Sequence, residues 1–216
     1  MRGLAFELNV PLASWANSGA QYRPTDVIPS WSALCGMVGA AMGWQRGDDK
    51  LVQFAQEFAP AISLKNFGGR FVDFHTIQTP DKKLFSYRPP RTREQEITKA
   101  VAKGKLNTSI TNREYLEDVR YEVLIVRLVE GLEISDLCAA LRAPRFPLYA
   151  GRRSCPVGFI DAQLVEGEPL EMLPGVTHWD TRLDFGIEPS IIRERRDLLL
   201  RAVEPRRFGI RQEALV

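Results

Sequence analysis

The segment from residue 78 to residue 112 constrains the fold of this chain more than any other feature of its sequence. It reads QTPDKKLFSYRPPRTREQEITKAVAKGKLNTSITN, which is basic, marked by prolines and poor in large apolar side chains. Such a composition buries too little apolar surface to offset the entropy lost on ordering, so the segment cannot belong to a core. The whole chain has 216 residues, of which 44% are hydrophobic, and this is enough for one full core. We therefore predict a single domain, residues 1–216, in which 78–112 is an inserted extended arm or mobile loop.

Apolar periodicity on either side of this segment predicts strands and helices. Residues 4–10 alternate as a strand does, and Ser30 is a suitable N-cap for a helix that runs to about Trp44. The further predicted elements are a helix at 48–59, a strand pair at 61–77 turning at Gly68–Gly69, a strand at 119–129, a helix at 133–144 capped by Ser135, a strand near 157–165, and strands and loops over 166–216. This order resembles a split βαβ unit, so the predicted fold class is α+β with a ferredoxin-like, RRM-like domain.

Several classes of protein have little support in this sequence. The N-terminus is interrupted by Glu7 and Asn9, unlike a signal peptide, and the longest apolar run, 33–44, is far shorter than the roughly 20 residues of a spanning helix. The three cysteines and two histidines have no partners at metal-ligand spacing. The glycines of GMVGAAMG (36–43) lie at helical spacing, which favours close packing of a helix on a sheet over a phosphate-binding loop. We expect a cytoplasmic protein with no membrane partner, no metal and no cofactor.

The net charge of +2 conceals an uneven distribution. Residues 65–153 carry a net charge of +6, whereas residues 1–64 and 154–216 carry −1 and −3. Arginine is much commoner than lysine, and its planar donors suit phosphate recognition and stacking on rings. A basic middle region is typical of nucleic-acid binding, although basic surfaces also occur in many other proteins.

The stretch PRFPLYAGRRSCPVG, residues 144–158, places arginines on a turn with almost no acid nearby. Gly151 allows a close backbone approach, while Arg152 and Arg153 offer bidentate donors to phosphates. Candidate RNA-binding residues of this stretch are Arg145, Tyr149, Gly151, Arg152, Arg153 and Ser154. The alternative is a solvated turn whose arginines pair with acids that are distant in sequence.

A second set of arginines is interleaved with aromatic residues. SYRPPRTR (86–93) combines Tyr87 with Arg88, Arg91 and Arg93, a pattern typical of single-strand binding, in which rings stack on bases and arginines neutralise phosphates. A disordered basic loop is the alternative. TNREYLEDVRYEV (111–123) adds Arg113 and several aromatic residues, diluted by three acids.

Taken in order, these stretches resemble one known family. They are PLASW after the first strand, RPT at 23–25, PSWSALCGMVGAAMGWQRGDD at 29–49, DFHT at 73–76, TNREYLEDVRYEV at 111–123 and PRFPLYAGRRSCP at 144–156. The chain is similar to CasD-type subunits of type I-E CRISPR Cascade complexes, in the repeat-associated (RAMP) superfamily. The resemblance runs from about residue 4 to residue 160 and thins beyond 165.

The resemblance implies a non-catalytic RNA-binding subunit of an antiviral surveillance complex. Such subunits clamp the 5′ handle of a CRISPR RNA, cap the backbone filament, contact a backbone subunit and the large subunit, and meet target DNA only through the complex. They carry a ferredoxin-like domain with an inserted β-hairpin thumb, and residues 78–112 match that thumb in position. Arg23, in the first loop, joins Arg145, Arg152 and Arg153 as a residue expected to contact handle phosphates.

Two other functions stay open from the sequence. The first is a metal-independent endoribonuclease that processes precursor CRISPR RNA, as in type I-C systems, which needs a base for the 2′-hydroxyl and an acid for the leaving oxygen. Its candidate residues are His75, Tyr22, Tyr115 and Lys83, although no Lys-His pair is present. The second is a protein-interaction subunit without RNA contact, which would leave the basic middle region unexplained.

Overall fold

The computed structural model describes residues 1–16, 21–81 and 92–216, in which strands and helices are mixed along the chain. The strands are β1 (Arg2–Ala13), β2 (Trp15–Ala16), β3 (Tyr22–Arg23), β4 (Thr25–Asp26), β5 (Phe58–Pro80), β6 (Leu106–Arg127), β7 (Gln163–Glu166), β8 (His178–Asp180), β9 (Ile191–Arg201) and β10 (Arg207–Leu215). The helices are α1 (Trp31–Met42), α2 (Lys50–Glu57), α3 (Arg93–Ala102), α4 (Ile134–Arg142) and α5 (Pro169–Met172). Within these ranges no helix is both long and apolar enough to cross a membrane.

Most strands belong to one sheet with the order β7–β1–β6–β5–β8–β10–β9. Neighbours along this path are antiparallel, and β3 adds to β6 in parallel. β2 and β4 form a separate two-stranded pair. The predicted α+β class is confirmed at this level, as a mixed α/β fold with a mostly antiparallel sheet.

Helix α1 begins and ends where its flanking residues predict. The Ser30 hydroxyl accepts a hydrogen bond from the Ala33 N–H at 3.2 Å, which satisfies one of the free donors of the first turn. Gly43 ends the helix in the left-handed region at φ 77°, a conformation that glycine adopts without steric cost. The predicted contact between the helix glycines and the sheet is wrong at Gly39, where a Cβ would lie 2.4 Å from Leu51 in α2. The close packing therefore joins two helices.

Two apolar layers cover the sheet. On one face α1, α2 and α4 pack over the central strands, with Trp31, Phe54 and Tyr121 fully buried between them. On the other face an apolar layer is formed by Leu173 after α5, Trp179 of β8, and Leu183 and Phe185 after β8. Burial of large apolar side chains contributes about 1.5–3 kcal/mol each, so these two layers account for the main stabilisation of the domain.

Strands β5 and β6 continue beyond the sheet as a two-stranded ribbon. The predicted turn at Gly68–Gly69 is wrong, because β5 runs unbroken from Phe58 to Pro80 and pairs with β6 as far as Pro80 and Leu106. Gly68 instead lies against the backbone of Glu117 on the partner strand, at 2.9 Å from where its Cβ would stand. Glycine in a strand marks such a close approach as often as it marks a turn, and this ambiguity explains the error.

The predicted arm at 78–112 contains the outer end of this ribbon and helix α3. Thr92 caps α3 by accepting from the Gln95 N–H, and Ala100 is its one buried residue among those described. The described residues of the arm are absent from both core layers.

Several boundaries differ from those predicted. The strand predicted at 119–129 is part of β6, which begins at Leu106. The N-cap of α4 is Glu133 and not Ser135, so the helix begins two residues earlier than a cap at Ser135 requires. The strand predicted near 157–165 is shorter and later, at Gln163–Glu166, where it pairs with β1. The residues before it instead close the turn around Gly151, as the hydrogen bond from Val157 N–H to Leu148 O shows.

The β9–β10 hairpin is attached to the domain by a buried ion-pair network. Arg211 donates to Asp197 and Glu213 at 3.0–3.1 Å, and Arg195 donates to Glu213 at 3.2 Å. Asp197 also accepts from the backbone N–H of Trp31 at the start of α1, at 2.8 Å. Burial raises the pKa of the Glu213 carboxyl, but Arg195 and Arg211 outweigh that effect, so its pKa lies below the usual value.

Candidate nucleic-acid interface

The turn around Gly151 is held tightly against the end of β1. The Ala150 carbonyl accepts from the Ser14 N–H at 3.0 Å, the Ala150 N–H donates to the Cys155 carbonyl at 2.8 Å, and Tyr149 forms a β-bridge with Pro156. Gly151 has φ 88°, and a Cβ there would lie 1.9 Å from the Ser14 carbonyl oxygen. Only glycine fits this position without backbone movement, so the arginines that follow are presented by a rigid turn.

Arg152 lies across the ring of Tyr115. Its guanidinium carbon is 4.9 Å from the ring centroid, and it donates to the backbone carbonyls of Glu114 at 3.3 Å and Arg23 at 3.4 Å. No carboxylate pairs with Arg152 in the part of the chain that the structure describes. Backbone carbonyls and a ring orient the side chain but do not neutralise its charge.

Arg153 is exposed, and it forms neither a hydrogen bond nor an ion pair within the described ranges. The adjacent Ser154 hydroxyl lies 3.2 Å from the Tyr115 hydroxyl, which ties the turn to β6. Arg153 therefore presents a guanidinium group with its full hydrogen-bonding capacity to solvent.

Two further arginines, one on β3 and one on β6, lie near Arg152. Arg23 pairs in register with Arg113 of β6, and Arg23 is exposed on the chain surface. The Nε of Arg113 is buried and has no hydrogen-bond partner among the described residues. We call Arg23, Arg113, Arg152 and Arg153 the arginine cluster.

Two acids lie beside Arg113, namely Asp73, which is opposite it in the register of β5 and β6, and Glu114, which follows it in β6. Glu114 accepts from Arg70 at 2.9 Å and from the Thr25 N–H at 2.8 Å, on the ribbon face opposite to Arg113, because successive side chains of a strand alternate. Burial raises the pKa of the Glu114 carboxyl, but these donors lower it further, so it stays below its usual value. The cluster consequently keeps its positive charge.

Phe71 belongs to this surface, although sequence analysis did not identify it. Its ring stacks on Tyr115 with centroids 5.3 Å apart and planes at 19°, so Tyr115 is sandwiched between Phe71 and Arg152. Phe71 is 37% exposed and offers an aromatic face beside the cluster. The signal that could have found it is the pairing of Phe71 with Tyr115 across β5 and β6, which requires the strand register.

The other predicted site residues lie apart from the cluster. Arg145 follows α4 in sequence, and its side chain packs over Gly43 at the end of α1. Tyr149 is half-buried in the turn around Gly151. Arg93 at the start of α3 is paired with Glu96 at 2.7 Å and donates to the Gln78 carbonyl. Three predicted residues lie outside the described part of the chain, namely Lys83, Arg88 and Arg91.

The candidate catalytic residues are separated. Tyr22 contacts Glu114 at 3.3 Å, Tyr115 is buried against Ser154, and His75 lies in the middle of β5 with its Nδ1 unpartnered among the described residues. Burial and the nearby Glu114 raise the pKa of Tyr22, which disfavours its phenolate form. No hydrogen bond in the described ranges joins these three side chains into an acid–base pair. Those same ranges contain no cluster of His, Cys, Asp or Glu suited to a metal ion.

Comparisons with known proteins all indicate the same family. The family model described as CRISPR-associated protein (Cas_Cas5) matches residues 3–212. The protein named CRISPR system Cascade subunit CasD, from Escherichia coli strain K12, is 30% identical over 165 residues, which cover 71% of this chain and 66% of that relative, slightly under two thirds of its length. A structure described as a CRISPR RNA-guided surveillance complex matches with a TM-score of 0.67 and 25% identity over 99% of this chain and 89% of its own. A crystal structure of a Cas protein, with a TM-score of 0.61, 23% identity and coverage of 99% and 94%, shares the fold.

Proposed function

The chain belongs to the Cas5 family of CRISPR-associated proteins, and from this premise we propose that it is a non-catalytic Cascade subunit that grips the 5′ handle of the CRISPR RNA. In this role it caps one end of the backbone filament of an antiviral ribonucleoprotein complex. Its partners are the CRISPR RNA, the backbone subunit and the large subunit, while target DNA is met only through the assembled complex. The site of action is the cytoplasm.

The observation that carries this proposal is the pair Arg152 and Arg153, which has no carboxylate partner in the described ranges. Arg152 and Arg153 follow a turn that admits only glycine at position 151, and no acid in the described ranges pairs with either of them. Pre-oriented guanidinium groups bind phosphates bidentately, and a site already held by the fold loses little entropy on binding. A phosphate chain is therefore the counter-charge that best fits the cluster.

The fold supports the same proposal. The order β7–β1–β6–β5, with α1 after β1 and α4 after β6, is the arrangement expected of a ferredoxin-like domain, and folds of this shape bind single-stranded RNA. We take the ribbon of β5 and β6 to be the thumb, and Phe71 and Phe74 are exposed along it. We assign this ribbon to contact with the RNA and with the adjacent backbone subunit.

The proposal is tested by co-expression with a CRISPR array and purification of the complex. Wild-type protein retains CRISPR RNA, and Arg152→Ala with Arg153→Ala loses most of it at physiological salt. The matched control is Arg2→Ala with Arg142→Ala, which removes two exposed arginines that are paired with Glu166 and Asp161. If the cluster variant retains as much RNA as this control, the assignment of the site is wrong.

Salt dependence gives a second measure of the same contacts. If Arg23, Arg145, Arg152 and Arg153 each neutralise one phosphate, the log–log slope of single-strand affinity against salt is about −3, since each contact contributes roughly −0.7. A slope near zero would contradict phosphate binding at this surface.

The non-catalytic assignment has its own test. Purified protein incubated with labelled repeat RNA in EDTA leaves the RNA intact. Site-specific cleavage that disappears in His75→Ala would instead establish the endoribonuclease.

A further inference from the structure

We infer that a second basic surface, formed by Arg46, Arg201 and Arg207 and called here the hairpin tract, binds the phosphate backbone of the same RNA strand that occupies the arginine cluster. This inference rests on the RNA-binding function proposed above and extends it to the C-terminal hairpin. It gives β9 and β10 a role beyond completing the sheet.

The first observation is a pair of like charges across the hairpin. Arg201 of β9 lies directly opposite Arg207 of β10, and both side chains are exposed. Like charges in directly opposed positions of an antiparallel pair destabilise it. Neither has an ion pair within the described residues, and the nearby Glu204 lies against Arg206 at 3.8 Å. An external anion would relieve the repulsion that the fold leaves in place.

The second observation places Arg46 on the same surface. The loop between α1 and α2 packs on the tip of the hairpin, where a Cβ at Gly47 would lie 3.7 Å from Val203. Arg46, next to Gly47, is exposed and has no ion pair in the described ranges. The acids that follow belong to the start of α2, where Asp48 accepts from the Lys50 N–H at 3.0 Å. The loop and the hairpin tip therefore form one basic surface.

The third observation connects this surface to the arginine cluster. Arg145 belongs to the same segment as Arg152, yet its side chain lies over Gly43 and its N–H donates to the Ala41 carbonyl at 2.9 Å. Gly43 stands only three residues before Arg46. Arg145 has no ion pair in the described ranges, so a second unpaired guanidinium group of the segment that carries Arg152 lies at the helix end that leads to Arg46. A strand bound at Arg152 that continues along this segment would meet Arg145 and then the hairpin tract, which favours one nucleic-acid strand over an acidic protein surface.

The test uses full-length protein and single-stranded RNA of the cognate repeat, shortened stepwise from one end and then from the other. We expect the affinity of the wild type to increase with length until a strand reaches both surfaces. The triple variant Arg46→Ala, Arg201→Ala and Arg207→Ala should keep the affinity for short strands and lose that increase. Its salt slope for long strands should be shallower by about 2, since three contacts at roughly 0.7 each are removed.

The matched control is Arg2→Ala, Arg120→Ala and Arg142→Ala, which removes three exposed arginines, each paired with a carboxylate. This variant has the same net charge as the tract variant and should bind like the wild type. A second variant, Arg201→Gln with Arg207→Gln, removes the opposed charges, so it should fold at least as stably as the wild type while losing part of the length dependence. It keeps the test valid if the triple variant unfolds.

Three results would overturn the inference. The tract variant could show the length dependence and salt slope of the wild type. It could lose affinity only for duplex DNA, or only for a protein subunit of the complex, and either result would assign the surface to a different partner. If Arg152→Ala with Arg153→Ala loses short-strand binding while the tract variant behaves as the wild type, this inference alone fails. If the cluster variant binds short strands normally, the function proposed above fails.

Discussion

The buried arginines of the β9–β10 hairpin and the arginines of the turn around Gly151 have their charge balanced in opposite ways. In the hairpin Arg195 and Arg211 are buried, and each is bonded to carboxylates. In the turn Arg152 contacts backbone carbonyls and a ring, while Arg153 forms no hydrogen bond or ion pair with the described residues. A buried charge must be compensated within the protein, whereas an oriented and uncompensated charge at the surface is available to a ligand.

The largest expected effect comes from breaking the buried network. Asp197→Ala removes the acceptor for Arg211 and for the first N–H of α1, which leaves a buried guanidinium group without one of its counter-charges. We expect a loss of about 3–5 kcal/mol in the free energy of unfolding, measured by urea denaturation. Asp161→Ala, at an exposed pair with Arg142, is the control and should cost less than about 1 kcal/mol. Equal losses would show that the two kinds of arginine site do not differ.

The next effect concerns the backbone of the turn. Gly151→Ala places a methyl group at 1.9 Å from the Ser14 carbonyl oxygen with φ at 88°. We expect a loss of roughly 2–3 kcal/mol, because the turn must move away from β1, together with weaker RNA retention. Gly158→Ala has open space around its Cβ and serves as the control. Normal RNA retention in Gly151→Ala would show that a rigid turn is not needed for binding.

A smaller effect separates the two neighbouring arginines. Arg153→Ala should change the unfolding free energy by less than about 0.5 kcal/mol, since its side chain has no partner in the described ranges, yet should lower RNA affinity and the salt slope by roughly 0.7. Arg152→Ala should reduce both quantities, because it also removes a cation–π contact worth about 0.5–2 kcal/mol. Thermal denaturation and filter binding measure the two effects. A greater loss of unfolding free energy in Arg153→Ala than in Arg152→Ala would contradict this difference between the two residues.

The smallest effect is in the pH dependence. The pKa of Glu213 is lower in the folded state than its ordinary value of 4.5, because the arginines outweigh the effect of burial. A depressed carboxyl pKa adds stability above the unfolded-state value, and this is lost as pH falls through the folded-state value. Stability should therefore decline from about pH 5 downward, and less steeply in Glu213→Gln. The amount of RNA retained per folded molecule should not change as Glu213 becomes protonated, because no carboxylate of the described chain pairs with Arg152 or Arg153.

Local features of the fold were predictable where a few neighbouring residues determine them. The start of α1 at Ser30 and the alternation of β1 are both confirmed. The turn at Gly68–Gly69 failed because glycine also permits close approach of a paired strand. The strand continues through these glycines because β5 pairs with β6, and this pairing joins residues that are far apart in sequence.

The same distinction applies to the candidate site. The absence of a local acid beside Arg152 and Arg153 was visible in the sequence. The sandwich of Tyr115 between Phe71 and Arg152, and the approach of Arg23 to Arg113, depend on strand register and could not be predicted. The separation of Arg145 from the cluster also follows from packing, because its side chain is placed by the end of α1.

By itself the sequence determined the cap of α1, the alternation of β1 and an arginine-rich turn without nearby acids. These properties depend on interactions within a few residues, which any segment carries with it. Only the tertiary structure decided that Glu114 pairs with Arg70 and leaves Arg152 without a carboxylate, and that Asp197 and Glu213 neutralise Arg211. Those assignments depend on which side chains meet across the sheet and how deeply they are buried, since both distance and dielectric environment set the strength of an ion pair.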